Sequence, residues 1–120
     1  MRAVPGKLVQ ALLHLIENAL QNSSEADPVE IFGEVAEGAG VVRIRDRGTG
    51  LPGAVAPDQI FEPFWTTHPS HRGLGLAMAR HFVGAHGGTI TAADNDPPPG
   101  ATFTVRLPLG TRETGLSRGV

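Results

Sequence analysis

At 120 residues, 40% of them hydrophobic, the chain has enough apolar material for one domain on one core and too little length for two ordinary ones. A net charge of −2 with no run of like charges gives no electrostatic footprint for nucleic acid or an anionic membrane surface. The lack of cysteine excludes disulfides and thiolate metal sites. No apolar run approaches the roughly 20 residues that span a bilayer, and residues 1–4 are too short and too weakly apolar for a signal peptide, so the cytoplasm is the expected compartment.

The first predicted element is a helix from Pro5 to Ser23, with proline in a first-turn position. At about 100° per residue, Lys7, Gln10, His14, Glu17, Asn18, Gln21 and Asn22 gather in one polar stripe, and leucines, valine, isoleucine and alanine fill the rest. An apolar arc that broad predicts packing on more than one side. Alternation over Val29–Val35 predicts a half-buried strand, and the "EGAG" stretch at 37–40 a hairpin turn into a second strand, Val41–Asp46. Residues 47–72 read as irregular, with one helical turn around Asp58–Phe61. So long an irregular stretch in a compact domain points to function. A second helix follows from Gly73 to His86, stopped by Gly87-Gly88. Strands at Thr89–Ala93 and Ala101–Leu107, joined by the "DNDPPPG" turn, complete a folded unit over 1–109, and 110–120 reads as a frayed tail. The order helix–strand–strand, loop, helix–strand–strand predicts an α/β domain with one mixed sheet covered by helices on one face.

Three groupings carry chemistry. Asp46 continues the inward face of Val42 and Ile44 and is followed by Gly48 and Gly50. A buried carboxylate needs donors. Either its own loop amides supply them, as in an Asx turn, or a ligand amino group does, with the glycines letting a flat ring approach the backbone. The "RGLGLAMARHF" stretch, 72–82, opens its helix with Gly73, Leu74 and Gly75 and no capping side chain. Bare amides and the helix dipole there, with Arg72 adjacent, suit an anion; tight helix packing is the other account. On the first helix, Asn18 is out of place in a helix interior, and its amide oxygen is a suitable hard ligand for Mg²⁺. His14, one turn earlier, could hold a coordinated water or a phosphate, although a solvated face explains the stripe equally well.

Taken in order, "LLHLIENALQNS" (12–23), "DRGTGLP" (46–52), "IFEPFWTTH" (60–68), "RGLGLAMARHFVGAHGGTI" (72–90) and "GATFTVRLP" (100–108) resemble the N, G1, F, G2 and G3 boxes of the ATP-binding domain of sensor histidine kinases. The resemblance covers about residues 5–108. It implies the Bergerat fold, a two-layer α/β sandwich with an ATP lid, shared with gyrase-type, Hsp90-type and MutL-type ATPases. It implies Asn18 as the Mg²⁺ ligand and Asp46 as the acceptor for the adenine amine, with Gly48 and Gly50 shaping the base pocket. Thr102 would support the base through a water. The lid would run from Phe61 to Arg72, and Gly73, Leu74 and Gly75 would present amides to the phosphates. Asn22, Gln21 and His14 would flank the nucleotide.

The function so implied is Mg-ATP binding and donation of the γ-phosphoryl group to a histidine on a separate dimerisation and phosphoacceptor domain, met through Phe64 and Trp65, with a response regulator downstream. Since no phosphoacceptor box is present, the chain would be a catalytic portion of a larger kinase, whose parent could be membrane-anchored. His81 and His86 read as surface residues of the second helix. The chain departs from the family pattern at His14 (usually Asn), at Gln21 (often basic) and in a short lid with His71-Arg72 before "GLGL". Two other functions fit the same boxes. A gyrase-type or Hsp90-type hydrolase would need a glutamate base where His14 stands. A module that has lost nucleotide, such as a pseudokinase or an anti-sigma-factor-like regulator, would account for His14, Gln21 and the short lid.

Overall fold

The computed structural model describes residues 5–24, 26–51, 57–63 and 75–109. Helix α1 spans Pro5–Asn22, strands β1 Glu30–Ala36 and β2 Ala39–Arg45 form a hairpin, and a single 3₁₀ turn covers Pro57–Phe61. Helix α2 covers Gly75–Ala85, followed by β3 Thr89–Asp94 and β4 Ala101–Pro108. The hairpin turn is two residues long, tighter than the four expected. Glu37 and Gly38 both carry positive φ, 52° and 77°, the backbone of a type I′ turn that matches the twist of its strands.

The four strands lie in the order β1-β2-β4-β3. Every pairing is antiparallel, so the described sheet is antiparallel where the sequence reading expected a mixed one. A short hairpin at each end and one long excursion carrying α2 suffice to make neighbours run in opposite directions.

Both helices lie on one face. Ile44 of β2, Ile90 of β3 and Ala101, Phe103 and Val105 of β4 meet Ala11, Leu15 and Ala19 of α1 and Ala79, Phe82 and Val83 of α2. Phe61 closes this core from the 3₁₀ turn, edge-on to Phe103 with ring centroids 6.0 Å apart, and the Arg80 guanidinium lies 5.6 Å from its ring. The two helices pack on each other and cover chiefly the β2-β4-β3 part of the sheet.

Two packing expectations are corrected by that placement. Only the Ala11–Leu15–Ala19 stripe of α1 is buried, while Val9, Leu13 and Leu20 remain about half exposed. α2 and the sheet together cover α1, but not the whole width of its apolar arc. Strand β1 is not half-buried: Ile31 is 54% and Val35 74% exposed, because the helices stop short of this edge of the sheet. A third correction concerns His86, which is buried. Its Nδ1 lies 2.8 Å from the Phe82 carbonyl oxygen and must donate the proton, since a carbonyl only accepts.

Candidate functional site

Asp46 follows directly on β2 and is only 1% exposed. Its Oδ1 accepts from the backbone N–H of Gly48 at 2.9 Å and of Ala101 at 3.1 Å, and its own N–H donates to the Ala101 carbonyl at 2.9 Å. Oδ2 takes no hydrogen bond among the described residues. The two accounts of this acid therefore apply to different oxygens. Oδ1 organises the turn, as an Asx residue does; Oδ2 is left for another donor.

The glycine after it has a specific structural cause. A Cβ on Gly48 would collide with the backbone carbonyl of Asn22 at the end of α1. The loop carrying Asp46 thus runs directly against the helix terminus, an approach that only glycine permits. Asn22 is held there by its own Nδ2, which donates to the Asn18 carbonyl at 3.0 Å.

Eight residues earlier on α1, His14 lies beside the start of α2: a Cβ on Gly75 would come 3.6 Å from His14 Nδ1. His14, Asn18 and Asn22 recur every four residues, so they share one face. That face meets α2 at one end and the Asp46 loop at the other, with about 12 Å of helix between. Asn18 stands midway. It is half-buried, and among the described residues its side-chain amide makes no hydrogen bond. A carboxylate, an amide and the opening turn of a helix are in this way brought to one side of α1. Arg72, Gly73, Leu74, Phe64, Trp65 and most of the expected lid lie outside the described residues.

Two placements differ from the sequence reading. Thr102 alternates with Ala101 and Phe103, which are buried on the helix side, so its hydroxyl faces the other side of the sheet. There it borders a cleft of about 270 Å³ with Phe32, Arg43 and Arg45 and donates to Asn95 Oδ1 at 2.6 Å. The β4 residue at the Asp46 carboxylate is Ala101, one position earlier. Period-two alternation sends these neighbours to opposite faces, so only Ala101 can lie on the Asp46 side. Conversely, Asp94 and Asn95, ordinary turn residues by sequence, both hold the Asp46 loop. Asp94 Oδ1 accepts from Leu51 N–H at 2.7 Å, and Asn95 Nδ2 donates to the Asp46 carbonyl at 2.8 Å.

The family model for the histidine kinase-, DNA gyrase B- and HSP90-like ATPases matches residues 3–111 of this chain. The chain belongs to this ATPase family. Among curated relatives, the sensor histidine kinase ZraS of Escherichia coli is 38% identical over 110 residues, 91% of this chain and 23% of ZraS. The signal transduction histidine-protein kinase AfsQ2 of Streptomyces coelicolor is 39% identical over 112 residues, 89% of this chain and 20% of AfsQ2. The chain thus spans less than a quarter of the length of either kinase. Solved structures agree with the fold. The mycobacterial sensor histidine kinase MprB superposes with a TM-score of 0.79 at 29% identity, over 88% of this chain and 72% of that one. The catalytic domain of the histidine kinase ThkA gives 0.78 at 28%, over 88% and 68%.

The chain is therefore a histidine-kinase-type ATP-binding domain with the Bergerat α/β fold. Glu17 is the acid next to Asn18, and its carboxylate lies on the exposed side, 3.7 Å from His14 Nδ1. Among the described residues no cluster of three or more His, Cys, Asp or Glu could hold a metal ion on its own. A cation at this site would rest on few protein groups and on its ligand's phosphates, the usual habit of Mg²⁺. No helix among the described residues is long and apolar enough to cross a membrane.

Proposed function

We propose that this domain binds Mg-ATP against the His14–Asn18–Asn22 face of α1 and donates the γ-phosphoryl group to a histidine on a separate dimerisation and phosphoacceptor domain. The observation that carries the reading is the divided role of Asp46. One carboxylate oxygen is fixed by two backbone amides, and the other, which takes no hydrogen bond among the described residues, accepts from the exocyclic amine of adenine.

From that anchor the nucleotide extends along His14, Asn18 and Asn22. The half-buried amide of Asn18 fits the magnesium ion, which supplies charge neutralisation on the phosphates. Gly50 lines the base side of the pocket. Arg72, Gly73, Leu74 and Gly75 hold the phosphates at the start of α2, where backbone amides and the helix dipole favour negative charge. Gln21 and His14 occupy the flanks. Phe61, buried beneath α2, anchors the lid base, and Phe64 and Trp65 beyond it form the contact for the phosphoacceptor domain. The phosphorylated histidine then passes its group to a response regulator. Phosphoryl transfer depends on positioning and charge stabilisation, so this domain needs no covalent nucleophile of its own.

Thermal unfolding with and without an ATP analogue and Mg²⁺ tests the reading. Ligand at 100 times its dissociation constant stabilises by about 2.7 kcal/mol, and the rise in midpoint is expected only when both are present. No shift at millimolar nucleotide would replace this function with that of a nucleotide-free interaction module on the same fold.

A further inference from the structure

Asn95 sits in the β3–β4 turn and is 8% exposed. Its Nδ2 donates to the Asp46 carbonyl at 2.8 Å and to the Pro99 carbonyl at 2.9 Å, while Oδ1 accepts from Thr102 Oγ1 at 2.6 Å. Two carbonyls on one side fix which way the amide faces, since neither can donate. The backbone N–H of Asn95 closes the turn onto the Gly100 carbonyl at 2.9 Å. One buried side chain thereby ties the end of β2, the turn and the start of β4.

The requirement for asparagine is chemical. The position needs two donors and one acceptor at the reach of a short side chain. Aspartate has no donor, serine has one, and glutamine is a methylene too long. Gly100 completes the clamp. It takes φ +96°, and a Cβ there would collide with the same Asp46 carbonyl. The main chain of Asp46 is held from behind by groups on the turn, while its carboxylate faces the α1 side.

Resting on the nucleotide-binding reading of Asp46, we propose that Asn95 is a positioning residue for adenine recognition. It never touches the nucleotide, and it sets selectivity for a purine bearing a 6-amino group by fixing the backbone from which the Asp46 carboxylate is presented. Loss of its two donors leaves the Asp46 carbonyl unpaired in a buried place and frees the part-buried Pro99 carbonyl, and the loop relaxes away from the geometry that reads the amine.

The test is calorimetric titration of the purified domain with ATP and with purine riboside triphosphate, which lacks the 6-amino group. Asn95→Ala and the isosteric Asn95→Asp are each expected to weaken ATP by about tenfold, the scale of one hydrogen bond. Binding of the amine-free analogue should stay within about twofold, the usual limit of additivity for uncoupled sites. In an Asp46→Asn background, Asn95→Ala should cause no further loss, because the group it positions is gone. Equal losses for both nucleotides, unchanged ATP binding, or losses that multiply in the double variant would overturn the assignment. Asn95→Asp preserves volume and the Thr102 contact, so it carries the same comparison should Asn95→Ala fail to fold. Wild-type protein that binds neither nucleotide would remove the nucleotide reading itself, an outcome distinct from wild-type binding with unaffected Asn95 variants.

Discussion

At the scale of single residues, Asp46 divides its carboxylate between one structural oxygen and one that takes no hydrogen bond among the described residues. Replacement of Asp46 by Asn keeps an oxygen for the Gly48 and Ala101 amides and turns the other position from acceptor into donor. The fold should therefore survive, with an unchanged far-ultraviolet circular dichroism spectrum. Adenine nucleotide affinity should fall by about 1.5–3 kcal/mol, the worth of a hydrogen bond to a charged group, as read by calorimetric titration; undiminished affinity would detach Asp46 from the base. Asn18 makes no side-chain hydrogen bond among the described residues, so Asn18→Ala should cost no stability and should gain a little from the higher helix propensity of alanine. Its expected effect is loss of the Mg²⁺ dependence of ATP binding, checked by titrating nucleotide with and without the metal. Metal-dependent binding that persists would take Asn18 out of the site.

Secondary-structure elements contribute unequally. Leu15 is fully buried between α1 and the sheet, and Leu15→Ala should destabilise by about 2–5 kcal/mol in denaturant unfolding. Val35 has the same chemistry on β1 but is largely exposed, so Val35→Thr should stay within about 0.5 kcal/mol. Similar costs at the two positions would mean that β1 is packed more deeply than its exposure indicates. A backbone approach is also an element-level device. Gly48→Ala must push the Asp46 loop off the carbonyl end of α1, so it should lower both the unfolding midpoint and nucleotide affinity. The two losses together mark the contact as part of the site; a lower midpoint with intact binding would confine it to the fold.

For the molecule as a whole, the proposed division of labour has a direct readout. Incubated alone with ATP labelled at the γ-phosphate and Mg²⁺, the domain should acquire no label, since it is read as the donor side only. Label should appear on a histidine phosphoacceptor domain supplied in trans, in an amount that falls with Asp46→Asn. Self-labelling of this chain would contradict that division.

The elements and the boxes were legible in the sequence because their signals are local. Apolar periodicity marks α1 and α2, the Gly87-Gly88 pair marks the end of α2, and an acid followed by two glycines marks a loop that must run close to something. Membership of the ATPase family was legible too, since five short boxes in order constrain one another. Side chains that act across the fold were not. Asn95 reads as an ordinary turn residue, and only the return of β4 beside β2 brings its amide onto the Asp46 carbonyl, 49 residues away. Thr102 and Ala101 are adjacent in sequence, and strand pairing alone determines which of them faces Asp46. The exposure of β1 and of the outer side of α1 was likewise a tertiary outcome, because a hydrophobic pattern states which face a segment can bury and not what reaches it. The sequence by itself thus determined the elements, the family and the acid that anchors the site. The tertiary structure decided what that acid's two oxygens do and which buried amide holds it, since those depend on contacts between distant segments.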